Sequence, residues 1–276
     1  MVGWMNALYA KPYAHTFWYC DEYPAFANDY PFGGLKEHTD YALVQQRLLG
    51  QRPHMGSPWD KNDPSPLNQQ WLAAGLALGT KVSPSWDLAA MSPEALAAYR
   101  HLLVHYDAFA EPVRYGPGLY PEYFATTANG TTYLGFMNRD AGARTIAAAL
   151  EEVGLDPVIA YTAYDVADGR FLKVQGGVSV PVDGQTFRLL ILRRQPGVLW
   201  TGSSFEMGEA PNGLKLTVRG PASIPGDLAL ASPPPASVAV DGHPAGRRVV
   251  RYDVDAGVLQ LRYRHDRPHT VEVSFA

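Results

Sequence analysis

The chain reads as an α/β part followed by an all-β part, and three observations predict this. Helix starts are marked at Ser65-Pro66 and Ser92-Pro93, each an N-cap residue with proline at the first helical position. Short β-prone runs, among them HTFWY at 15–19 and KVS at 81–83, stand between helical stretches. Beyond Glu111 the helical period stops, and β-patterned runs follow one another across Asn-Gly and Asp-Gly turns.

Composition sets the outer limits. With 276 residues, 46% of them apolar, the chain can bury a large core, as one big domain or as two to three smaller ones. A formal charge of −4, without a Lys/Arg run, gives no basic field for a nucleic-acid backbone, so no nucleic-acid partner is expected. The lone Cys20 excludes an internal disulfide and a cysteine-built zinc site. No apolar segment approaches the ~20 residues of a membrane helix, and the N-terminus has no basic region followed by an apolar core. The expectation is a soluble, cytoplasmic protein without a membrane partner. Sixteen Tyr and six Trp are enough for stacking surfaces, although aromatic rings fill cores more often than they hold ligands.

Taken in order, residues 1–14 form a loose helical piece that Pro12 ends. The strand HTFWY then runs into Cys20, Asp21, Glu22, Tyr23 and Pro24; its carboxylates are either the polar end of an active strand or a solvated turn. Residues 25–34 are a loop rich in Asn, Asp, Pro and Gly, long enough to border a cleft. KEHTD at 36–40 forms a short strand end, and Tyr41 to Leu49 a helix that Gly50 closes, so Asp40 stands at a strand-to-helix junction or acts as an N-cap. Residues 52–63 read as a break full of turn formers. His54, Asp60 and Asp63 there do not make a metal site, because no second histidine stands at helical spacing.

Leu67 to Leu78 is an apolar helix closed by Gly79. After the strand Lys81 to Ser83, Pro84 prevents continuation and Trp86 with Asp87 lie just beyond it, as a strand-end site or as a packed indole beside a solvated turn. From Pro93 to Tyr106, Leu96, Tyr99, Leu103 and Tyr106 recur at offsets of three and four and predict one buried stripe. Strand, polar loop and helix in this order are what a β/α barrel needs, since the active groups of that fold sit where strands end.

Pro112, Gly116, Pro117, Gly118 and Pro121 make a linker. The strand Thr131 to Met137 follows Asn129-Gly130, while Val178 to Val182 and Thr186 to Leu192 flank Asp183-Gly184 as a hairpin. Asn129-Gly130-Thr131 also fits the N-glycosylation pattern, but the hairpin turn is the better reading without an export signal. Gln195 to Gly197 opens a second β-rich block, with strands at Leu214 to Val218, Ser237 to Val240, Val249 to Val254, Val258 to Arg264 and Thr270 to Phe275. The units expected are therefore 1–112, 113–195 and 196–276. The last contains no nucleophile motif, phosphate loop or zinc spacing and reads as scaffold.

Over roughly residues 15–195 the order of motifs resembles the second half of the melibiase-like glycoside hydrolases, the retaining α-galactosidase and α-N-acetylgalactosaminidase clan. TFWYCDEYP is similar to the end of that clan's fifth barrel strand, EHTDYALVQQRL to its sixth, and Gly56, Trp59, Asp60, Asp63 and Pro64 to its seventh. Asn68, Gln69, Gln70, Asp87, Leu88, Ser92 and Pro93 resemble the closing strand–helix unit. YLGFMNRDAGARTIAAALEEVGL, with Asn138 and Arg139, resembles the sandwich that follows, and Tyr164 to Gly169 a loop before its last strands.

The resemblance implies the closing strands and helices of a partial (β/α)8 barrel, followed by one or two antiparallel β-sandwich domains. It implies retaining hydrolysis of α-galactoside-type bonds with no cofactor and no metal, acting on an oligosaccharide or glycoside. Asp40 would be the acid/base, Asp21 and Glu22 would accept sugar hydroxyls, and Trp59, Asp60, Trp86 and Asp87 would line the sugar subsite. The chain departs from the pattern in two places. The nucleophile strand, and the barrel strands before it, have no counterpart in these residues, and Lys36 stands nearest where an arginine usually precedes the acid/base. A truncated product, a half-barrel completed by self-association or by a missing N-terminal half, and a non-catalytic relic all fit. The rival readings are a non-catalytic carbohydrate-binding or structural β-module, and a transglycosylase acting on the same sugars.

Overall fold

The computed structural model describes residues 16–19, 52–56, 77, 81–83, 91–104, 113–118, 120–208, 210–222 and 225–275. It begins with a parallel three-stranded sheet of β1 (Thr16–Tyr19), β2 (Arg52–Gly56) and β3 (Lys81–Ser83), in that order. Thr16 pairs with Arg52 and Tyr19 with Met55, while His54 to Gly56 pair with Lys81 to Ser83. Parallel neighbours need long crossovers, and residues 20–51 and 57–80 supply them.

β1 and β3 stand where the sequence places strands, but Arg52–Gly56, read as part of a break, is the middle strand. Pro53 misleads the local reading. It sits at the second position of β2, before pairing with β3 begins at His54, so its missing N–H removes no bond on that side. Residues 36–40, read as a short strand end, lie outside the described residues.

Helix α1 (Pro93–Val104) starts where the Ser-Pro signature predicts, with the Ala95 N–H donating to Ser92 Oγ at 3.1 Å. Its buried stripe is Ala98, Tyr99, His101 and Leu102, whereas Leu103 is 42% exposed and Tyr106 lies outside the described residues. The expected stripe ran one residue too far around the helix, because the small Ala98 and polar His101 carry little hydrophobic signal.

The rest of the described chain is almost wholly antiparallel β-structure. β4 (Arg114–Tyr115), β5 (Tyr123–Ala128), β6 (Thr131–Met137), β7 (Arg144–Ala149), β8 (Tyr161–Asp165), β9 (Arg170–Val174), β10 (Gly177–Val182) and β11 (Phe187–Arg193) make the first sandwich. Its large sheet has the order β4-β5-β6-β11-β8-β9, and β7 pairs with β10 to cover one face. The β5–β6 hairpin turns on Asn129 and Gly130, both at positive φ as expected.

Asp183-Gly184 does not close a hairpin. β10 pairs with β7 and β11 with β6 and β8, so the turn is a corner between sheets. The positive φ there belongs to Gln185, and Gly184 is needed for a different reason: a Cβ on it would lie 1.9 Å from the Ala141 carbonyl oxygen. Fully buried Asn138 fixes this corner, its Nδ2 donating to the Gly142, Val182 and Asp183 carbonyls at 2.8 to 3.0 Å.

The second sandwich comprises β12 (Gly197–Trp200), β13 (Ser204–Gly208), β14 (Gly213–Arg219), β15 (Pro225–Ala231), β16 (Pro235–Val240), β17 (His243–Pro244), β18 (Val250–Asp253), β19 (Val258–Arg264) and β20 (His269–Phe275). Its sheets run β12-β15-β19-β18 and β13-β14-β20-β16-β17, enclosing Leu216, Val218, Leu228, Leu230, Leu259, Leu261 and Val271.

Alternation along the strands creates a third core between the sandwiches. In β6 and β11, Leu134, Phe136, Leu190 and Leu192 face β7 and β10, while Tyr133, Met137, Leu189 and Ile191 face the other way. That second face meets Tyr99 and Leu102 of α1, together with Leu199, Trp200, Ala229, Ala231 and Val258 from the outer face of the second sandwich. Every residue of β6 is buried because both its faces are covered.

Candidate functional site

Because β1, β2 and β3 are parallel, their C-terminal residues Tyr19, Gly56 and Ser83 share one sheet edge. Asp21 and Glu22 follow β1 in sequence, Trp59 and Asp60 follow β2, Trp86 and Asp87 follow β3, and Asp40 belongs to the crossover from β1 to β2. All seven lie outside the described residues, as do Asp63 and the Asn68–Gln70 run. What the fold provides is the common backbone edge from which their segments depart.

The next element after that edge, α1, is tied to the sandwiches by a buried polar joint. His101 is fully buried, and its Nε2 lies 3.1 Å from the Tyr133 hydroxyl. Burial pushes the Tyr133 phenol well above its ordinary range, which keeps it a donor. On the other side of the ring, Nδ1 meets the backbone of Thr201, 3.0 Å from its carbonyl oxygen and 3.2 Å from its N–H. The imidazole stacks on Trp200 with ring centroids 4.8 Å apart. Trp200 Nε1 donates to Asp227 Oδ2 at 3.0 Å, and Asp227 Oδ1 accepts the Gly202 N–H at 3.1 Å. One path of rings and hydrogen bonds thus runs from α1 into the second sandwich. A further tie is the Thr126 hydroxyl, which donates to the Ala77 carbonyl at 2.8 Å.

None of His101, Trp200 or Asp227 stood out in the sequence, although one cue was present. Asp227, Ala229 and Ala231 alternate with Leu228 and Leu230, a strand with apolar residues on both faces and one carboxylate at its end. Trp200 is harder to place by period alone, since a bulge between Val198 and Trp200 turns both Leu199 and Trp200 toward the shared core. Among the described residues no group of three or more His, Cys, Asp or Glu side chains is placed to hold a metal ion, and no helix is long and apolar enough to cross a membrane.

No family model matches the chain, and no curated protein matches it. Solved structures do. A GH27 β-L-arabinopyranosidase from Geobacillus stearothermophilus is similar over 68% of this chain and 47% of its own, at 11% identity and a TM-score of 0.50. A candidate α-galactosidase/melibiase from Bacteroides fragilis gives 68% and 45% coverage, 14% identity and a TM-score of 0.45. A candidate α-N-acetylgalactosaminidase from Bacillus halodurans gives 57% and 43%, 12% identity and a TM-score of 0.43. The chain spans less than half the length of each. At 11% identity the first of these likenesses is one of architecture. In fold, the chain is similar to the β-rich C-terminal part of the melibiase-like glycoside hydrolases.

Proposed function

We propose that the chain is a glycoside hydrolase-like protein that takes part in retaining hydrolysis of α-galactoside-type bonds. In this reading residues 1–112 hold the closing strands and helices of a β/α barrel, 113–195 a sandwich and 196–276 a second β-rich unit. The observation that carries the reading is the parallel β1-β2-β3 sheet, because one edge of it precedes three segments rich in carboxylates and indoles. The fold likeness to a GH27 enzyme supports the same conclusion.

Asp40 would protonate the departing glycosidic oxygen and then activate water. A retaining mechanism needs a second carboxyl group about 5 Å away as nucleophile. That group would come from a preceding strand ending in Lys-x-Asp, outside the positions compared above. Asp21 and Glu22 would accept hydrogen bonds from sugar hydroxyls, and Trp59, Asp60, Trp86 and Asp87 would line the ring. The residues assigned these roles ask for no metal or organic cofactor.

Purified protein assayed on a panel of aryl α-galactosides tests this. Turnover that Asp40→Asn reduces by at least about 100-fold, the span of general acid–base catalysis, is the expected outcome. Galactoside binding without turnover would move the assignment to a carbohydrate-binding module, and neither binding nor turnover would remove it.

A further inference from the structure

A cleft of about 160 Å³ opens where the two sandwiches meet, and nothing in the barrel-edge reading uses it. Tyr164 of β8 and Phe171 of β9 form one wall, their ring centroids 4.9 Å apart, with Trp200 4.8 Å from Tyr164. The opposite wall is the outer face of the second sandwich, where Asp227 pairs in register with Arg262, and Ala229 with Gln260. The methyl of Ala229 keeps the floor low between these longer side chains.

Two polar side chains of this wall, Gln260 and Arg262, are unspent among the described residues. Among the described residues, neither the Gln260 amide nor the Arg262 guanidinium has a hydrogen-bond partner, and Arg262 forms no ion pair although Asp227 stands opposite it in the ladder. Asp227 bonds Trp200 and Gly202 with one oxygen each, which leaves each oxygen a further lone pair. Burial, with the Asp227 and Asp165 carboxylates nearby, pushes the Tyr164 phenol up to about 12; it remains a neutral donor throughout the physiological range.

The rim is held in place before any ligand arrives. Asp165 is 1% exposed, and its Oδ1 caps the Ala167 and Asp168 N–H groups of the turn above Tyr164. Arg188 Nη2 bridges Asp165 and Asp168 at 2.5 Å to each. The Gly169 end of that turn lines the cleft, at φ +62. A fixed rim lowers the ordering cost of binding.

We infer that this cleft is a second carbohydrate-binding site, built for a single uncharged pyranose ring. Aromatic faces carry negative quadrupole potential and attract the slightly positive C–H face of a sugar. A carboxylate, an amide, a guanidinium and a phenol beside them offer acceptors and donors for ring hydroxyls, with one negative and one positive charge that balance. The volume decides the size of the ligand. It falls below the roughly 300 Å³ of the smallest drug-sized pockets, so the cleft itself takes in about one ring.

Titration of the full-length protein with D-galactose, D-glucose and D-mannose, followed at the Trp200 indole N–H by NMR, tests the site. That resonance is identified by its loss in Trp200→Phe. At least one sugar should shift it with a dissociation constant of about 1 mM, the weak end expected for one ring. Gln260→Ala and Arg262→Ala should each weaken binding about tenfold, the scale of one lost hydrogen bond to a charged or well-placed group. Among the described residues both side chains lack partners, so the variants should keep the parent melting temperature. Asp40→Asn should leave this titration unchanged, so the cleft and the barrel-edge activity fail or stand separately. No indole shift at about ten times that concentration, or a shift that both substitutions leave intact, would overturn the proposal.

Discussion

His269 shows how a single side chain can set the pH response of the second sandwich. It is buried between Asp241, 2.9 Å from Nδ1, and the Arg264 carbonyl and Asp266, at 2.7 and 2.9 Å from Nε2. Burial by itself would lower its pKa, but these acceptors on both nitrogens carry it above the ordinary histidine value, since only imidazolium can donate from both. The Thr270 N–H, then His269 and Arg267, hold the Asp241 carboxyl below its usual range. The raised histidine stabilises the fold fully below about pH 6.5 and loses that contribution as pH rises through its folded value. The depressed carboxyl stabilises above about pH 4 and loses its contribution as pH falls through its own folded value. Their joint contribution is therefore greatest in mildly acidic solution. Nearby His265 works in the opposite sense, since burial lowers its pKa, but it stays in place when Asp241 alone is altered. Asp241→Asn keeps an acceptor for Thr270 and removes the charge. Its melting temperature should fall further below the parent's at pH 5.5 than at pH 9; an equal deficit at both would show that the pair does not titrate with folding.

At the scale of elements, local chemistry marked the boundaries well and the partners poorly. The cap of α1 is the clear success: Ser92-Pro93 announced the helix, and Ser92 Oγ takes the Ala95 N–H. Ser92→Ala should cost about 1 kcal/mol and Ser92→Gly only a few tenths, measured by urea unfolding. Equal losses for the two would mean that the hydroxyl does not cap. The strands Thr131–Met137 and Val258–Arg264, and the Asn129-Gly130 and Asp241-Gly242 turns, were legible because period two and positive φ are local properties. Asp183-Gly184 carried the same local signal and became a corner, because β11 finds β6 and β8 whereas β10 finds β7. Which strand pairs with which is settled by cores distant in sequence, and no dipeptide encodes that. The same limit hid the cleft, whose Tyr164, Trp200, Asp227 and Gln260 come from four strands and converge only once the sandwiches meet. The seven predicted barrel residues were chosen by motif order. The structure adds to them the parallel edge that their segments follow.

For the whole molecule, the core between the sandwiches decides how the described parts depend on one another. Tyr99 and Leu102 of α1, Tyr133 and Ile191 of the first sandwich, and Trp200 and Val258 of the second bury their side chains against a common interior. Arg193 reinforces the crossing between sandwiches. Burial lowers its pKa, yet it donates to the Asn129, Gln195 and Pro196 carbonyls and to Thr131 Oγ1, pinning the chain as it passes from β11 to β12. If each sandwich relied on its own interior alone, damage to α1 would be local. A shared interior spreads the damage, because emptying it withdraws contacts from both sheets at once. Leu102→Ala, at a fully buried position, should therefore cost about 2–5 kcal/mol. The loss should appear as one shifted transition, with far-UV circular dichroism and tryptophan emission moving together in urea. Separate transitions for the two probes in the variant would mean that the sandwiches fold as independent units joined by a passive contact, and the cleft between them would then lose its rigid walls.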